Sequence, residues 1–371
     1  MRGGMRICYD FQAFAWPKYG GVSRYFVELA SRIHRYPGTT VRIVAPLYRN
    51  KLLAAKADVI PVFGLPVNVE GRVAPRVMQL FDSSVSRLLC QAYAPDIAHE
   101  TYYSRRRTSG ASAKTVITVY DMTHELFPQY FPKNSGTMSL RRTAFARADH
   151  LICISESTRA DLMRIYGIEE GRVSVIHLAS SLTAPQHLLL AVKDPFFLYV
   201  GARAGYKNFD GLLEAFAASL LFKTHKLVCF GGGQFSEGEN KRRSELGIPQ
   251  DRVELVEGDD NLLSRYYASA EAFVYPSLYE GFGIPLIEAM ECGCPIVCNA
   301  SSSMPEVAGD AAMYCDAEDI HSLSNAMLKV AQSPDERRRL ILEGTQRAKR
   351  FSWDRCAEQT HAVYARLAAG R

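Results

Sequence analysis

Long apolar runs are missing from this chain. No stretch approaches the ~18 consecutive apolar residues that suggest a membrane-spanning helix. The first residues, MRGGMRICYDFQAF, also lack the hydrophobic core of a signal peptide. We therefore expect a cytoplasmic protein, and its 371 residues are enough for two domains of ordinary size.

Cysteines with the paired spacing of a zinc site are also missing. The nine cysteines are scattered, mostly as single residues within apolar stretches, which is typical of reduced, buried thiols. The exception is ECGCPIVC, which brings Cys292, Cys294 and Cys298 close together along the chain. These residues cross from a predicted helix end into a strand without zinc-site spacing, so we expect no metal there.

Acidic residues are scarce in the first half of the chain. Residues 1–180 carry 24 Lys and Arg against 14 Asp and Glu, a balance of +10 within a chain of net charge +5. This asymmetry indicates an anionic partner for the first half: nucleic acid, an anionic membrane surface or a phosphate-bearing substrate. The basic residues are dispersed apart from Arg105–Arg107 and Arg141–Arg142, and no nucleic-acid motif is present, so we expect no nucleic-acid partner.

Predicted strands and helices alternate along both halves, which favours two parallel sheets. In the first half the predicted strands are RICYDF, TVRIVAP, IAHETY, TVITVYD and HLICIS, and in the second FFLYVGA, HKLVCFG, VELVEG, AEAFVYPS and PIVC. The turn-rich segment between the halves places the boundary around residues 181–195. The last predicted helix, WDRCAEQTHAVYARLAA, can pack on either half.

The segment YEGFGIPLIEAM, residues 279–290, combines two carboxylates with a glycine-rich turn. Glu280 falls in the turn after a buried strand, and Glu288 lies about one turn inside the helix that begins near Pro285. Glycines in such a turn let backbone N–H groups approach an anion, and a helix N-terminus at the carboxyl end of a parallel strand favours phosphate. A surface glutamate on an ordinary strand-to-helix turn is the alternative interpretation.

Seven stretches, spread in order along nearly the whole chain, extend this observation. They are YGGVSRY, VITVYDMTHELFP, ADHLICISESTRADL, VSVIHLA, LYVGARAGYKNFDGLLEAF, AFVYPSLYEGFGIPLIEAM and FSWDRCAEQT. Together they resemble the retaining, nucleotide-sugar-dependent glycosyltransferases of family 4 (group 1 type), with their E-x7-E motif. The resemblance implies the GT-B fold, an α/β architecture of two Rossmann-like domains that face each other across a cleft. We expect an acceptor domain at 1–185, a donor domain at 186–350, and a helix at 351–371 that packs back on the first.

The same resemblance implies roles for the donor-side residues. Glu280 would face the sugar hydroxyls and Glu288 the ribose, with the backbone N–H groups of 282–284 between them. Arg203 and Lys207 would neutralise the leaving diphosphate, although Arg203 stands one position later than the family pattern. The donor-binding residues implied are Gly20, Gly21, Gly258, Phe282, Gly283, Ile284 and Glu288; those implied in catalysis are Tyr120, Asp121, His124, Arg203, Lys207 and Glu280.

The loop with Gly20 and Gly21 precedes a predicted helix, and in the family such a loop closes over the donor phosphates or admits the acceptor; a plain glycine turn is the alternative. Where many relatives have His-Asp, this chain has Tyr120 and Asp121. Tyr120 can donate a hydrogen bond in place of that histidine, or His124 can replace it.

The resemblance also implies a front-face retaining mechanism without a metal or other cofactor, and the chain contains no Asp-x-Asp motif. The implied partners are a nucleotide sugar, with GDP-mannose favoured, and a glycan or lipid-linked acceptor in surface polysaccharide synthesis. Peripheral contact with an anionic membrane at its inner face would follow.

Three alternatives stay open. Gly231 and Gly233 begin a G-x-G-x-x-G pattern after a strand, as in nicotinamide-dependent oxidoreductases, but Ser236 replaces the third glycine. A non-catalytic protein could use the basic half to bind nucleic acid or another anionic ligand. A phosphorylase or sugar-phosphate synthase of the same fold would differ only in its acceptor.

Overall fold

The chain forms two compact units, each built on its own parallel sheet. The computed structural model describes residues 4–15, 18–68, 74–133, 136–185, 190, 193–203 and 205–370, with only the backbone of 74–80. Unit 1 comprises Met1–Glu125, Pro132–Leu178 and Trp353–Arg371, and unit 2 comprises Leu126–Phe131 and Ala179–Ser352. The α/β class expected from the alternating pattern is confirmed.

The strands of unit 1 are all paired in parallel, in the order β3-β2-β1-β4-β5-β6-β7. Their bounds are β1 Met5–Tyr9, β2 Thr39–Tyr48, β3 Val62–Pro66, β4 Ile97–Glu100, β5 Lys114–Val119, β6 His150–Cys153 and β7 Val173–Val175. The strand order reverses between β1 and β4, which makes the carboxyl ends of these two strands the switch point where ligands of open α/β sheets bind.

Unit 2 repeats this arrangement with six parallel strands in the order β10-β9-β8-β11-β12-β13. Their bounds are β8 Phe196–Val200, β9 Lys226–Phe230, β10 Val253–Val256, β11 Ala272–Tyr275, β12 Ile296–Asn299 and β13 Ala312–Cys315. Here the order reverses between β8 and β11, so the switch point lies at their carboxyl ends.

Helices connect the strands, and several of them bury an apolar face. They are α1 Gln12–Ala15, α2 Gly21–Ile33, α3 Lys51–Ala54, α4 Ala74–Tyr93, α5 Thr123–Leu126, α6 Thr137–Arg147, α7 Glu156–Tyr166, α8 Phe209–Ala218, α9 Glu237–Glu245, α10 Asp260–Ser269, α11 Ile284–Glu291, α12 Met304–Ala308, α13 Ile320–Gln332, α14 Pro334–Ala348 and α15 Trp353–Ala369. On α2, the apolar stripe consists of Val22, Phe26, Leu29, Ala30 and Ile33; Val22 is half-buried and the other four are fully buried. Within the described residues, no helix has both the length and the apolar character that crossing a bilayer requires.

The last helix, α15, belongs to unit 1 and packs against α2. Its Tyr364 hydroxyl lies 3.3 Å from that of Tyr9 on β1 and hydrogen-bonds the buried His99 ring on β4. His361, on the same helix, hydrogen-bonds Thr39 at 2.9 Å. These contacts anchor the C-terminal helix to the central strands of the first sheet.

Three strands were missed by the sequence patterns, and all three lie at sheet edges. They are β3 and β7, which close the two edges of the first sheet, and β13, which closes one edge of the second. The side chains of β3 and β7 are mostly exposed or half-buried, so their sequences lack the apolar run of a central strand.

Candidate active site

Lys207 and Glu280 meet at the switch point of the second sheet. Lys207 lies in the loop after β8 and Glu280 in the loop after β11, and topology makes these two loops neighbours. The Lys207 ammonium lies 2.6 Å from a Glu280 carboxylate oxygen, with side chains 21% and 11% exposed. Lys207 also packs over the rings of Tyr206 and Tyr275, at 5.1 and 5.8 Å from their centroids. The structure thus brings together two predicted site residues that are 73 positions apart.

The backbone around Glu280 is held by two serines in the loop after β12. The Glu280 N–H donates to the Ser302 hydroxyl at 3.0 Å, and Ser302 has a left-handed φ of 53°. The Ser303 hydroxyl lies 2.9 Å from the carbonyl oxygens of both Glu280 and Phe282. Burial, and next the charge of Glu280, raises the pKa of the Tyr275 phenol, which therefore stays protonated beside the carboxylate.

Gly283 and Ile284 form the start of α11. Gly283 has a φ of 101°, a conformation that glycine adopts without strain, and it precedes the first helical residue. The Phe282 side chain is buried against Phe351, with ring centroids 5.8 Å apart, and its carbonyl oxygen accepts from the Ser303 hydroxyl. N–H groups at this helix end have no acceptor within the helix and suit an anion.

Glu288 lies about one turn into α11 and is half-buried. Its carboxylate accepts a hydrogen bond from the Tyr267 hydroxyl of α10 at 3.2 Å. Burial, and next the charge of Glu288, raises the pKa of Tyr267. A carboxylate has about four lone-pair sites, which is more than the hydrogen bond from Tyr267 uses.

Arg203 does not join this pair. Its guanidinium is turned toward the loop after β9, where it bonds the carbonyl oxygens of Gly231 and Gly233 and the carboxylate of Glu239. Gly258, after β10, is exposed, and a Cβ there would meet the Leu262 side chain at 2.5 Å. The roles implied for Arg203 and Gly258 stay predictions.

An aromatic segment that sequence reasoning did not single out packs against the same loops. Leu126–Phe131 belongs to unit 2, where Phe127 lies 6.4 Å from Tyr206 and 6.0 Å from Tyr279 between ring centroids. A Cβ at Gly205 would lie 2.9 Å from the Tyr130 ring, so glycine is needed for this close approach. The sequence feature that could have identified this segment is the aromatic run LFPQYF, which directly follows His124 and Glu125 in the chain.

In unit 1, Gly20 and Gly21 begin α2. Gly20 is extended and its carbonyl accepts from the Ser23 hydroxyl at 2.9 Å and the Arg24 N–H at 3.0 Å. A Cβ on Gly21 would meet no atom within 4 Å. This glycine therefore leaves open space at a helix N-terminus, and its predicted contact with donor or acceptor stays a prediction.

Tyr120 and Asp121 follow β5 and are both engaged within unit 1. The Tyr120 hydroxyl donates to the Thr101 carbonyl at 3.1 Å. Asp121 pairs with buried Arg141 at 3.0 Å and accepts the Thr123 N–H at 2.9 Å. Burial acts to raise the pKa of Asp121, but the Arg141 charge and the Thr123 hydrogen bonds outweigh it and lower the pKa.

His124, on α5, is half-buried close to this pair. Burial, and next the charge of Arg141, lowers its pKa. The ring is therefore neutral at pH 7 and can donate or accept a hydrogen bond.

Two buried carboxylates at the switch point of the first sheet were missed. Asp10 follows β1 and accepts hydrogen bonds from the Thr101 N–H at 2.9 Å, the Thr101 hydroxyl, and the Gln12 amide at 2.7 Å. Burial raises the pKa of Asp10. Glu100 ends β4 and forms a bidentate pair with Arg147. A carboxylate directly after a buried strand, as in CYDF, is the signal that could have identified Asp10.

The cysteine prediction can be compared with the structure directly. All nine cysteines carry free, buried thiols, as expected. Burial raises the pKa of Cys292 to about 12, and also raises that of Cys294 and Cys298. Across the part of the chain that the structure describes, no group of three or more His, Cys, Asp or Glu side chains could hold a metal ion.

Two family models match consecutive parts of the chain. The model described as Glycosyltransferase Family 4 matches residues 19–179, and the model described as Glycosyl transferases group 1 matches residues 181–347. Together with the two parallel α/β sheets, these matches define the class of the protein as a GT-B glycosyltransferase.

Three proteins of known name are similar in sequence to this chain. The chain is 31% identical to O-antigen chain mannosyltransferase B of Escherichia coli, over 68% of this chain and 70% of that protein. It is 29% identical to MMP alpha-(1->4)-mannosyltransferase of Mycolicibacterium hassiacum, over 63% and 58% of the two chains. It is 27% identical to O-antigen chain mannosyltransferase RfbU of Salmonella typhimurium, over 59% and 61%. The chain belongs to the group 1 glycosyl transferases. Its matches span less than two thirds of the length of the Mycolicibacterium hassiacum and Salmonella typhimurium proteins.

Solved structures share the fold across the whole chain. Sucrose-phosphate synthase from Thermosynechococcus elongatus aligns with a TM-score of 0.75 and 20% identity, over 99% of this chain and 100% of that one. Anabaena Alr3699/HepE, solved with UDP and glucose, aligns with a TM-score of 0.74 and 15% identity, over 98% and 99%.

The family assignment favours glycosyl transfer over the oxidoreductase and anionic-ligand-binding alternatives.

Proposed function

We propose that this glycosyltransferase moves a mannosyl residue, with retention of configuration, from a nucleoside diphosphate sugar to a glycan or lipid-linked acceptor in surface polysaccharide synthesis. The observation that carries the proposal is the Lys207–Glu280 pair at the switch point of the second sheet, followed by Glu288 on α11. The preference for mannose rests on the three relatives, all named mannosyltransferases, two of them acting on O-antigen chains.

Each donor residue has a chemical task in this proposal. When the sugar leaves, negative charge develops on the diphosphate, and the Lys207 ammonium stabilises that charge more in the transition state than in the ground state. Glu280, fixed through Ser302 and Ser303, accepts hydrogen bonds from the sugar hydroxyls. Glu288 accepts hydrogen bonds from the ribose, and the N–H groups of Gly283 and Ile284 face the diphosphate.

The existing Lys207–Glu280 contact suits this sequence of events. In the free enzyme each charge neutralises the other at 2.6 Å, so neither is left unpaired in a largely buried site. A bound donor would offer phosphate oxygens to Lys207 and hydroxyl donors to Glu280. Both charges keep a partner in this exchange, which limits its cost.

The acceptor belongs with unit 1 in this proposal. Residues 1–180 carry the excess of basic side chains, which suits an acceptor on a lipid diphosphate and peripheral contact with an anionic membrane. Neutral His124 and the Tyr120 phenol are the groups proposed to orient the reacting hydroxyl and sugar. The departing phosphate takes the proton of the acceptor hydroxyl, and no metal is required.

A nucleotide-sugar panel tests the proposal. Purified full-length protein is screened by thermal shift against GDP-mannose, UDP-glucose, UDP-galactose and dTDP-rhamnose, because a bound donor raises the melting temperature by mass action. The expected result is stabilisation by GDP-mannose and mannosyl transfer to a mannose-terminated glycan, with the α-linkage retained by NMR and turnover unchanged by EDTA. If only another donor stabilises the protein, the sugar of that donor would take the place of mannose in the proposal. If no nucleotide sugar stabilises the protein, the proposed function would be contradicted.

A further inference from the structure

The Arg203 side chain bridges the loops that follow the two adjacent strands β8 and β9. Its Nε–H donates to the Glu239 carboxylate at 2.7 Å, and one terminal nitrogen donates to the Gly231 carbonyl at 2.9 Å. The other terminal nitrogen donates to the carbonyls of Gly233 at 2.7 Å and Gln234 at 3.0 Å. The side chain is only 4% exposed, so these hydrogen bonds are shielded from water.

Aromatic rings enclose the same guanidinium. It lies 4.7 Å from the centroid of the Phe235 ring and 5.8 Å from that of Phe209. A second cation, Arg243, lies 4.8 Å from the Phe235 ring. Arg203 is therefore held by a carboxylate, three carbonyl oxygens and two rings at once, which is the environment of a structural arginine.

The loop that Arg203 holds has an unusual backbone. Gly231, Gly232 and Gly233 all have left-handed φ angles, of 75°, 78° and 74°, which side-chain-bearing residues rarely adopt. A Cβ on Gly232 would lie 2.4 Å from the Gly201 carbonyl oxygen and 2.8 Å from the Arg203 guanidinium. The loops after β8 and β9 thus touch, with Arg203 as the group that joins them.

The loop after β8 is also the one that carries Lys207, and its far end is anchored as well. The Tyr206 carbonyl accepts the Leu278 N–H at 2.8 Å. The side chain of Asn208, itself at a left-handed φ of 54°, donates to the Ala317 carbonyl at 2.7 Å. Lys207 is thereby held between fixed points on both sides.

We propose that Arg203 is a positioning residue. By bonding the glycine loop 231–233, it fixes the loop after β8 and therefore the placement of Lys207. It does not pair with the leaving diphosphate. This differs from the role that the family resemblance implies for an arginine in this loop. Lys207 is then the cation of this loop that faces the diphosphate. The inference rests on the proposed function only for the chemistry assigned to Lys207.

A double-mutant cycle of Arg203→Gln and Lys207→Ala tests the proposal. If Arg203 acts by placing Lys207, Arg203→Gln lowers turnover about tenfold or more in the otherwise native enzyme, since small misplacements of a catalytic group are costly. In the Lys207→Ala background the same change lowers turnover by less than about threefold, because no placed cation remains to lose. Losses that multiply would overturn the proposal.

Arg203→Lys separates placement from charge. A lysine keeps the positive charge but cannot bond a carboxylate and three carbonyls together, so turnover stays as low as in Arg203→Gln. Recovery of turnover by this variant would show that charge at the diphosphate is what matters. Arg243→Gln is the matched control: it removes the other guanidinium from the Phe235 ring, and among the described residues Arg243 makes no hydrogen bond to the glycine loop.

Hydrogen–deuterium exchange gives a readout that does not depend on activity. Arg203→Gln should raise amide exchange in both segments 201–208 and 231–236, whereas Arg243→Gln should leave segment 201–208 near the native rate. Unchanged exchange in Arg203→Gln would overturn the proposal even if the native protein turned over no nucleotide sugar. Failure of the native protein in the donor panel, with the exchange result as expected, would contradict the proposed function alone.

Discussion

Lys207 is the residue on which the proposed chemistry depends most. Replacing Lys207 with alanine should lower turnover about 10²-fold or more, because the developing charge on the diphosphate loses its cation. Lys329→Ala, which removes an exposed lysine of α13, is the control and should retain full turnover. Steady-state kinetics with the donor found in the panel measures both, and normal turnover by Lys207→Ala would show that Lys207 does not stabilise the leaving diphosphate.

Glu288 should contribute to nucleotide affinity with or without the sugar. Loss of its charge-assisted hydrogen bond to the ribose in Glu288→Ala should cost about 1.5–3 kcal/mol of binding free energy. Calorimetric titration with GDP and with UDP measures this cost, and Glu343→Ala, at an exposed position of α14, serves as a control with the same change of charge. Equal affinity of the native protein and Glu288→Ala for every nucleoside diphosphate would remove Glu288 from the site.

At the scale of elements, the burial of His99 on β4 predicts a dependence of stability on pH. His99 is fully buried, and burial lowers its pKa from 6.5 to about 3. The unfolded chain therefore binds one more proton than the folded chain between these values, so the free energy of unfolding falls as the pH falls from about 6.5 toward 3. The pKa of His99 differs by about 3.5 between the unfolded and folded chain, and one pKa unit corresponds to about 1.4 kcal/mol. The free energy of unfolding should therefore fall by at most roughly 5 kcal/mol over this pH range.

His99→Gln tests this dependence. The variant should be less stable at pH 7, since it loses the packing with Tyr364, but its stability should fall less between pH 6.5 and 4. His321→Gln, at the exposed start of α13, should keep the native pH dependence. Urea unfolding at a series of pH values gives the slopes, and identical slopes for His99→Gln and the native protein would contradict the assignment.

At the scale of the whole molecule, the uneven charge predicts binding to anionic bilayers through unit 1. Arg105 and Arg106 are exposed, whereas Arg107 is half-buried and donates to the Arg147 carbonyl at 2.9 Å. Each exposed arginine near an anionic surface contributes about 1 kcal/mol, so Arg105→Gln/Arg106→Gln should weaken binding roughly thirtyfold at low salt.

Vesicle co-sedimentation of the full-length protein measures this binding. Phosphatidylglycerol vesicles should bind the native chain, phosphatidylcholine vesicles should not, and added salt should weaken the attraction. Arg338→Gln/Arg339→Gln, a pair on α14 of unit 2, is the control and should bind like the native chain. Binding that is insensitive to anionic lipid, to salt or to the position of the arginines would favour a soluble acceptor.

Local patterns in the sequence were sufficient for much of the fold and for part of the candidate site. Central strands such as β5 and β11 are short apolar runs, and α15 was predicted at its observed bounds, because buried elements carry the hydrophobic periodicity of their own geometry. The turn before α11 could also be predicted from the sequence, because Gly283 and Pro285 mark a helix start by their backbone preferences alone. Edge strands such as β3 lacked this signal because solvent covers much of their surface.

Contacts between distant parts of the chain were decided only by the tertiary structure. Nothing local in the sequence pairs Lys207 with Glu280, turns Arg203 toward the glycine loop 231–233, or assigns the segment Leu126–Phe131 to the second unit. The sequence by itself determined which segments become strands, helices and bare turns, since those preferences depend on neighbouring residues. Strand order then decided which loops meet, because parallel strands bring together at one sheet edge side chains that lie far apart in the chain.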